Sequence, residues 1–359
     1  MRRRVWRAPL LVAAMLSLAW GVWLGLLRLG WILPLPWPDQ LILHGPLMIG
    51  GFLGTLIGLE RAVGVARPWA YTAPVCSASA SLLLVFGPPG PAGPILLTLA
   101  GAVVTAVFVV VWRREPSLHT ATMLAGAAAW CTGNALWWMG TAVYRIVFWW
   151  IAFVVFTIAG ERLELTRVLR PTRPERAAFV AAAALSIAGV ALMPKLPEAG
   201  VRVAGLGFAA VSAWLMTNDV ARRTVRQQGL TRFVAVCLLL GYVWLGIGGL
   251  IAVATGSAEP GFTHDAILHA IFLGFVVSMI FGHAPIVLPA VLGVPLPYRS
   301  RFYAHLILLH LSVGVRVAGD LIEALSGYRS WGGLLNAAAL LVFVANSVAA
   351  VLVPRFTKP

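Results

Sequence analysis

Cysteines and acidic residues are scarce in this sequence. Its 359 residues include three cysteines, far apart in the chain and in no C-x-x-C pair: Cys76, Cys131 and Cys237. A disulfide framework and a thiolate zinc site therefore have no support, and we interpret the cysteines as small apolar packing residues. The sequence also has no P-loop, no H-E-x-x-H and no serine nucleophile-elbow motif. It gives no sign of the enzymes that carry those motifs.

Polar segments long enough for a soluble domain are missing too. The chain is 60% hydrophobic and 11% charged, and apolar stretches of roughly 18–25 residues recur from end to end. The sequence predicts an all-α integral membrane protein, with residues 1–359 as a single transmembrane domain. About twelve transmembrane helices are expected, near 8–28, 41–60, 69–87, 93–112, 118–142, 144–160, 177–193, 201–219, 231–256, 265–290, 300–324 and 332–354.

Basic residues alternate along the chain in a pattern that indicates topology. The net charge is +15, but with the N-terminus in the cytoplasm most Arg and Lys fall in inner segments, as the positive-inside rule requires. Outer segments hold only Arg28, Arg145, Lys195, Arg202 and Arg329. We therefore predict a multi-pass protein of the bacterial inner (plasma) membrane with both termini cytoplasmic, its partner the lipid bilayer and not a nucleic acid.

A weak internal repeat links three helix ends. The second, sixth and tenth predicted helices end in Gly58-Leu59-Glu60-Arg61, Gly160-Glu161-Arg162 and Gly282-His283. Because these helices are four apart, the chain divides into three possible four-helix units, 1–114, 115–227 and 228–359. Coincidence between glycine-rich helix ends is the alternative interpretation.

Two histidines carry the functional hypothesis. His44 and His269 each open a predicted apolar helix, in the similar contexts Leu-His-Gly and Leu-His-Ala. An ionisable ring inside a bilayer is costly, so it is functional by default and needs a partner. Two rings at matching depth suggest one shared metal or heme iron, with one imidazole on each side of the porphyrin if the second and tenth helices face each other.

Small residues follow both histidines. They are Gly45, Gly50, Gly51 and Gly54 on the second helix, and Ala270 and Gly274 on the tenth. Low side-chain bulk would admit either a flat macrocycle or a close helix crossing.

The eleventh predicted helix is the most polar one. Arg316 and Asp320 are four residues apart and could pair along one face. Alternatively, Arg316 binds an anionic group in the outer layer, such as a heme propionate.

A second layer of histidines is expected near the inner surface. His269 lies about 21 Å outward of His283, so the two cannot bind one atom. His283 and His305 lie at similar depth on neighbouring helices and could form a second metal site, for which His310 is a further candidate ligand. We favour the alternative of a polar network, in which Glu60, Arg61, Glu161 and Arg162 bond to these histidines.

The segments around the two outer histidines match a known pattern. Residues 34–37 (Pro-Leu-Pro-Trp) and 43–52 (Leu-His-Gly-Pro-Leu-Met-Ile-Gly-Gly-Phe) resemble the second-helix region of the NnrS family, and residues 265–274 through Gly282-His283 resemble its corresponding late helix. The second helix is also similar to helix 2 of heme-copper oxidase catalytic subunits, which share the threefold four-helix arrangement. The resemblance implies heme b held by His44 and His269, copper as a further metal, and Arg316 as a propionate partner.

The departures from these families limit the chemistry. His44 stands without the His and Glu cluster usual at the start of the NnrS helix, and the sixth and seventh predicted helices have no histidine to bind oxidase copper. No complete oxidase-type active site is visible, so enzymatic activity is left open. We expect a heme-binding membrane protein acting in electron transfer, nitric oxide response or protection against nitrosative stress, with a redox partner or a small gas as ligand. A proton-coupled or small-solute transporter or channel is the alternative, and a membrane assembly factor is a third hypothesis.

Overall fold

Long helices account for nearly all of the chain. The computed structural model describes residues 5–35, 38–87 and 90–352; it is 86% helix, with no strand in these ranges. Twelve long helices follow one another in the described residues: α1 Ala8–Arg28, α2 Asp39–Val65, α3 Pro68–Phe86, α4 Ala92–Arg114, α5 Leu118–Trp138, α6 Val143–Leu169, α7 Arg173–Leu192, α8 Pro197–Asn218, α9 Gly229–Thr255, α10 Phe262–Val291, α11 Phe302–Leu321 and α12 Glu323–Leu352. A short helix, Ala221–Thr224, joins α8 to α9.

Eleven of the helices in the described ranges are long and apolar enough to cross a membrane. The exception is α5, which has 21 residues but carries His119, Asn134 and several threonines. Several of its polar side chains form hydrogen bonds within the protein. Asn134 is buried, donates to the Leu97 carbonyl at 3.0 Å and accepts from Trp150 Nε1 at 3.0 Å. The all-helical prediction is confirmed for the described residues, and the many apolar helices are consistent with a multi-pass membrane protein.

The helix ends differ most from the prediction at two places: α6 continues to Leu169 and not to residue 160, and α12 begins at Glu323 and not at residue 332. The segment after Gly160 is polar and was therefore expected to be a loop. Arg162 makes the extension possible, because its guanidinium is buried against Asp219 with bonds of 2.7 and 2.9 Å. A paired charge can remain inside a helix bundle, whereas an unpaired one would end the apolar segment.

Chain-distant helices meet around one region of the bundle. Most packing joins sequence neighbours, such as α5 with α6 and α11 with α12. In addition, α1 contacts α12, and α2 and α6 each contact α10. These contacts bring the first, middle and last thirds of the chain together. The three four-helix units and the orientation in the membrane stay predictions.

Both helices that carry the outer histidines change their winding. In α2, a 3₁₀ turn at Pro38–Leu43 gives way to α-helix at His44, and the π-helical segment Leu47–Leu53 follows. In α10, the α-helical part ends at His269, and the π-helical segment Ala270–Val277 follows. Wide turns of this type occur frequently at functional sites. Here they come directly after the two residues that the sequence singles out.

Candidate functional site

His44 is held by the helix that precedes it. Its Nδ1 lies 2.7 Å from the carbonyl oxygen of Gly21 on α1. Because a carbonyl only accepts hydrogen bonds, Nδ1 carries the proton and Nε2 has the free lone pair. Gly25, one turn further along α1, lies against the ring, since a Cβ there would be 2.9 Å from Cε1. The ring is thus fixed in orientation, with Nε2 available to a metal.

His269 has the same arrangement within its own helix. Its Nδ1 donates to the carbonyl oxygen of Asp265, four residues earlier, at 2.7 Å. The sequence prediction that His269 opens its helix is wrong, because α10 begins at Phe262 and His269 is its eighth residue. The additional turns matter chemically: they provide the carbonyl that orients the ring. They also place the Asp265 carboxylate beside the site.

The structure brings these two rings together. Their centroids are 6.5 Å apart and their planes differ by 21°. Two imidazoles that bind one metal from opposite sides have centres roughly 6 Å apart, since each metal–nitrogen bond is about 2 Å and the nitrogen lies about 1 Å from the ring centre. The centroid distance of 6.5 Å is close to that value.

The rings line a cavity of about 810 Å³. Its walls come from α1, α2, α6, α10, α11 and α12, and they are mainly apolar, with side chains such as Phe52, Val147, Phe272 and Leu340. The volume lies within the range of about 300–1,000 Å³ usual for ligand and cofactor sites. His264 lines the same cavity, with its Nδ1 donating to the Ser257 carbonyl at 3.0 Å. An apolar cavity lined by three histidines, each with its Nδ1 on a backbone carbonyl, suits a large, flat, metal-containing ligand.

A four-residue ion cluster closes one side of the cavity. Arg316 bonds to Asp320 at 3.1 Å and to Asp265 at 2.9 Å. Arg329 bonds to the same two carboxylates at 2.5 and 2.9 Å and lies over the Phe262 ring, 4.5 Å from its centroid. The two positive charges of the arginines and the two negative charges of the aspartates cancel, so the cluster has no net charge. Of the two sequence hypotheses for Arg316, its geometry favours pairing with Asp320, although its side chain also lines the cavity.

Most of the glycines after the histidines serve helix packing. A Cβ on Gly50 would lie 2.5 Å from Leu97, and one on Gly54 would lie 2.5 Å from Trp130. A Cβ on Gly51 would lie still closer to the Ser17 hydroxyl, and one on Gly274 would lie still closer to the Trp244 ring. Of the two alternatives, close helix crossing therefore applies to these four residues. The glycines that line the cavity are others, Gly25 and Gly45 among them.

The two histidines predicted near the inner surface have different neighbours. His283 donates from Nδ1 to the Met279 carbonyl at 2.7 Å. His305 is fully buried, and its ring lies among phenylalanines, with Phe281 and Phe343 centroids at 4.7 and 5.3 Å. Across the described ranges, no group of three or more His, Cys, Asp or Glu side chains is placed to hold a metal.

The inner charged residues pair with one another and not with the histidines. Arg61 forms ion pairs with Glu161 and, at 3.5 Å, with Glu60. Arg162 pairs with Asp219. The expected bonds from these residues to His283 and His305 are absent from the described part of the chain. Each arginine pairs with a carboxylate. His283 bonds to a backbone carbonyl, and His305 bonds to the Asn346 side chain and packs among aromatic rings.

Sequence reasoning missed two cations of the site, Arg28 and Arg329. Both line the cavity, and both belong to the five basic residues assigned to outer segments. Arginines predicted on the outer side are exceptions to the positive-inside rule, so their rarity is a usable signal. The pairing of Arg329 with Asp265 connects residues 64 positions apart, which no sequence pattern indicates.

Comparison with known proteins supports a family assignment and no named relative. No curated protein matches the chain. A family model described as "Domain of unknown function (DUF8744)" matches residues 7–352, a range that includes every side chain of the site. The chain therefore belongs to the DUF8744 family.

Proposed function

We propose that this protein is an integral membrane protein that binds heme b, and that His44 and His269 would hold its iron. The observation that carries the proposal is the ring pair: two nearly parallel imidazoles, 6.5 Å apart at their centroids, that both line an apolar cavity. Each Nδ1 is held by a backbone carbonyl, so each ring offers Nε2. The three cysteines form no C-x-x-C-H motif, which favours a heme without covalent attachment.

Electron transfer is the role that this ligand set supports best. A heme with two protein imidazoles would accept and release single electrons, its potential set by the ligands and their surroundings. The chain supplies both rings from packed helices, and their Nδ1 bonds keep them in place. Binding of nitric oxide or another gas would require one ring to leave, so gas response is the less direct role. The link to nitrosative stress and a redox partner remain parts of the proposal that rest on the resemblance to NnrS.

Copper is the second candidate cofactor. Imidazole nitrogens also suit copper, and the same ring pair would accept a single ion in place of a heme. The mainly apolar cavity of about 810 Å³ favours heme, because one ion would leave most of that space unused. The inner histidines His283 and His305 carry no copper proposal, since their rings have other neighbours.

The test compares histidine variants of protein made in cells well supplied with porphyrin. Purified wild-type protein should show a Soret band and contain heme on extraction. His44→Ala and His269→Ala should each lose the band or most of its intensity. His283→Ala is the matched control, because its ring has the same Nδ1 bond to the carbonyl four residues earlier, at 2.7 Å, yet does not line the cavity.

Three results would count against the proposal. A colourless wild-type preparation would refute heme binding, and copper without heme on metal analysis would favour the single-ion alternative. Unchanged spectra in both the His44 and the His269 variants would refute the ligand assignment. A colourless, metal-free protein that moves a solute in vesicles would support the transport alternative.

A further inference from the structure

Arg28 is the cation of the cavity that lacks a carboxylate. It lies in the last turn of α1, is exposed, and lines the cavity. Its charge is within electrostatic reach of His44, His264 and Asp265. Among the described residues it has neither an ion pair nor a side-chain hydrogen bond, in contrast to Arg316 and Arg329. It therefore adds one unbalanced positive charge near the ring pair.

The neighbouring ion cluster cannot supply the missing anion. Asp265 and Asp320 each already bind two guanidinium groups. Because the cluster is neutral as a whole, an incoming anion gains little by displacing one of its carboxylates. Arg28 has no such competitor, and its five N–H donors are available to a carboxylate in a bidentate arrangement.

We infer that Arg28 binds a carboxylate of the cavity ligand, and that this position, not Arg316, receives a propionate. The inference rests on the proposed function and extends it, since the ligand class is a flat metal complex with carboxylate side chains. Binding at Arg28 would also orient the ligand, with its carboxylate edge toward the part of the cavity near the C-terminal end of α1. The favourable position of a cation at a helix C-terminus would explain Arg28 without any ligand, so the test must separate the two explanations.

The experiment titrates heme-free protein with heme and with heme dimethyl ester, in which both carboxylates are blocked. Wild-type protein should prefer heme by about tenfold or more, the range for one charge-assisted hydrogen-bonded pair. Arg28→Gln should remove most of that preference by weakening heme binding alone, and Arg28→Lys should restore part of it. Arg145→Gln is the matched control, because Arg145 is an exposed outer arginine that pairs with Glu259 at 3.7 Å and lies outside the cavity lining.

Each outcome has a distinct meaning. No binding of either compound by the wild type would refute the proposed function itself. Equal binding of heme and its ester would overturn the carboxylate subsite and leave heme binding intact. If Arg28→Gln leaves the preference for heme unchanged, Arg28 does not bind the carboxylate. The same conclusion follows if Arg145→Gln reduces the preference for heme as much as Arg28→Gln does. If Arg28 only stabilises its helix, the variant should bind both compounds less tightly by the same factor.

Discussion

A single methyl group beside His44 offers a sharp test of the ligand geometry. Gly25 lies on α1 against the His44 ring, and an added Cβ would be 2.9 Å from Cε1 and 3.1 Å from Nδ1. Ordinary van der Waals contact begins near 3.4 Å. The ring cannot simply turn away, because Nδ1 is bonded to the Gly21 carbonyl at 2.7 Å on the same helix. Gly25→Ala should therefore displace the imidazole as a whole.

The size of the displacement decides the expected effect. Restoring normal contact requires a shift of about 0.5 Å, since the new Cβ would otherwise be 2.9 Å from Cε1. Metal–ligand distances in protein sites stay within about 0.2 Å of their normal values. We therefore expect the His44–iron bond to be weakened or lost, with heme affinity reduced by at least about tenfold, of the order seen when the groups that orient metal ligands are removed. Folding should not suffer, because Ala is favoured over Gly within a helix by roughly 0.5–1 kcal/mol.

The assay is heme titration of the purified variant, with the visible spectrum as a second readout. The spectrum should change from one of two imidazole ligands to one of a single ligand. Gly314→Ala is the control, because a Cβ at this helical position has no neighbour within 4 Å. If Gly25→Ala binds heme with wild-type affinity and an unchanged spectrum, the His44 ring does not bind the iron in the way proposed here.

Two further predictions concern the stability of the bundle. Asp219→Ala leaves the buried guanidinium of Arg162 without its carboxylate and should lower the free energy of unfolding by about 3–5 kcal/mol, measured by denaturant titration in detergent. Gly189→Ala would place a Cβ against the backbone nitrogen of Ala204 and 2.6 Å from its Cα. Because backbone cannot swing aside, α7 and α8 must separate, and a loss of about 1–3 kcal/mol is expected, visible as a lower melting temperature.

Controls for these two variants come from the same bundle. Glu164→Ala removes an exposed carboxylate and should change stability little. Gly314→Ala should be neutral or slightly stabilising for the reason given above. If the free energy of unfolding of Asp219→Ala lies within about 1 kcal/mol of the wild-type value, the Arg162 guanidinium reaches water when its partner is removed. A Gly189 variant that melts like the Gly314 variant would show that the α7–α8 crossing is looser than described.

Local patterns predicted most of the fold and the identity of the two outer histidines. Apolar length is a property of consecutive residues, so most helix ends could be located within a few positions. The two largest errors are the end of α6 and the start of α12; at α6, Arg162 continues the helix because Asp219, 57 residues later, neutralises it. Composition alone counts such an arginine as the end of an apolar segment. The glycines of α2 show the same limit, since the sequence reports a small residue but not the Leu97 or Trp130 that fills the space beside it.

Local sequence alone indicates a helical protein with many apolar segments, and it identifies His44 and His269 as rings whose burial in such segments costs free energy. Both conclusions depend only on neighbouring residues, whereas the arrangement of the site depends on tertiary packing. The packing of α1, α2 and α10 places two rings that are 225 residues apart in the chain at a centroid distance of 6.5 Å. The contacts among α10, α11 and α12 pair Arg316 with two aspartates, whereas Arg28 has no carboxylate partner among the described residues. Such contacts join segments that are far apart in the chain, and the hydrophobic pattern of one helix does not show which distant helix it packs against.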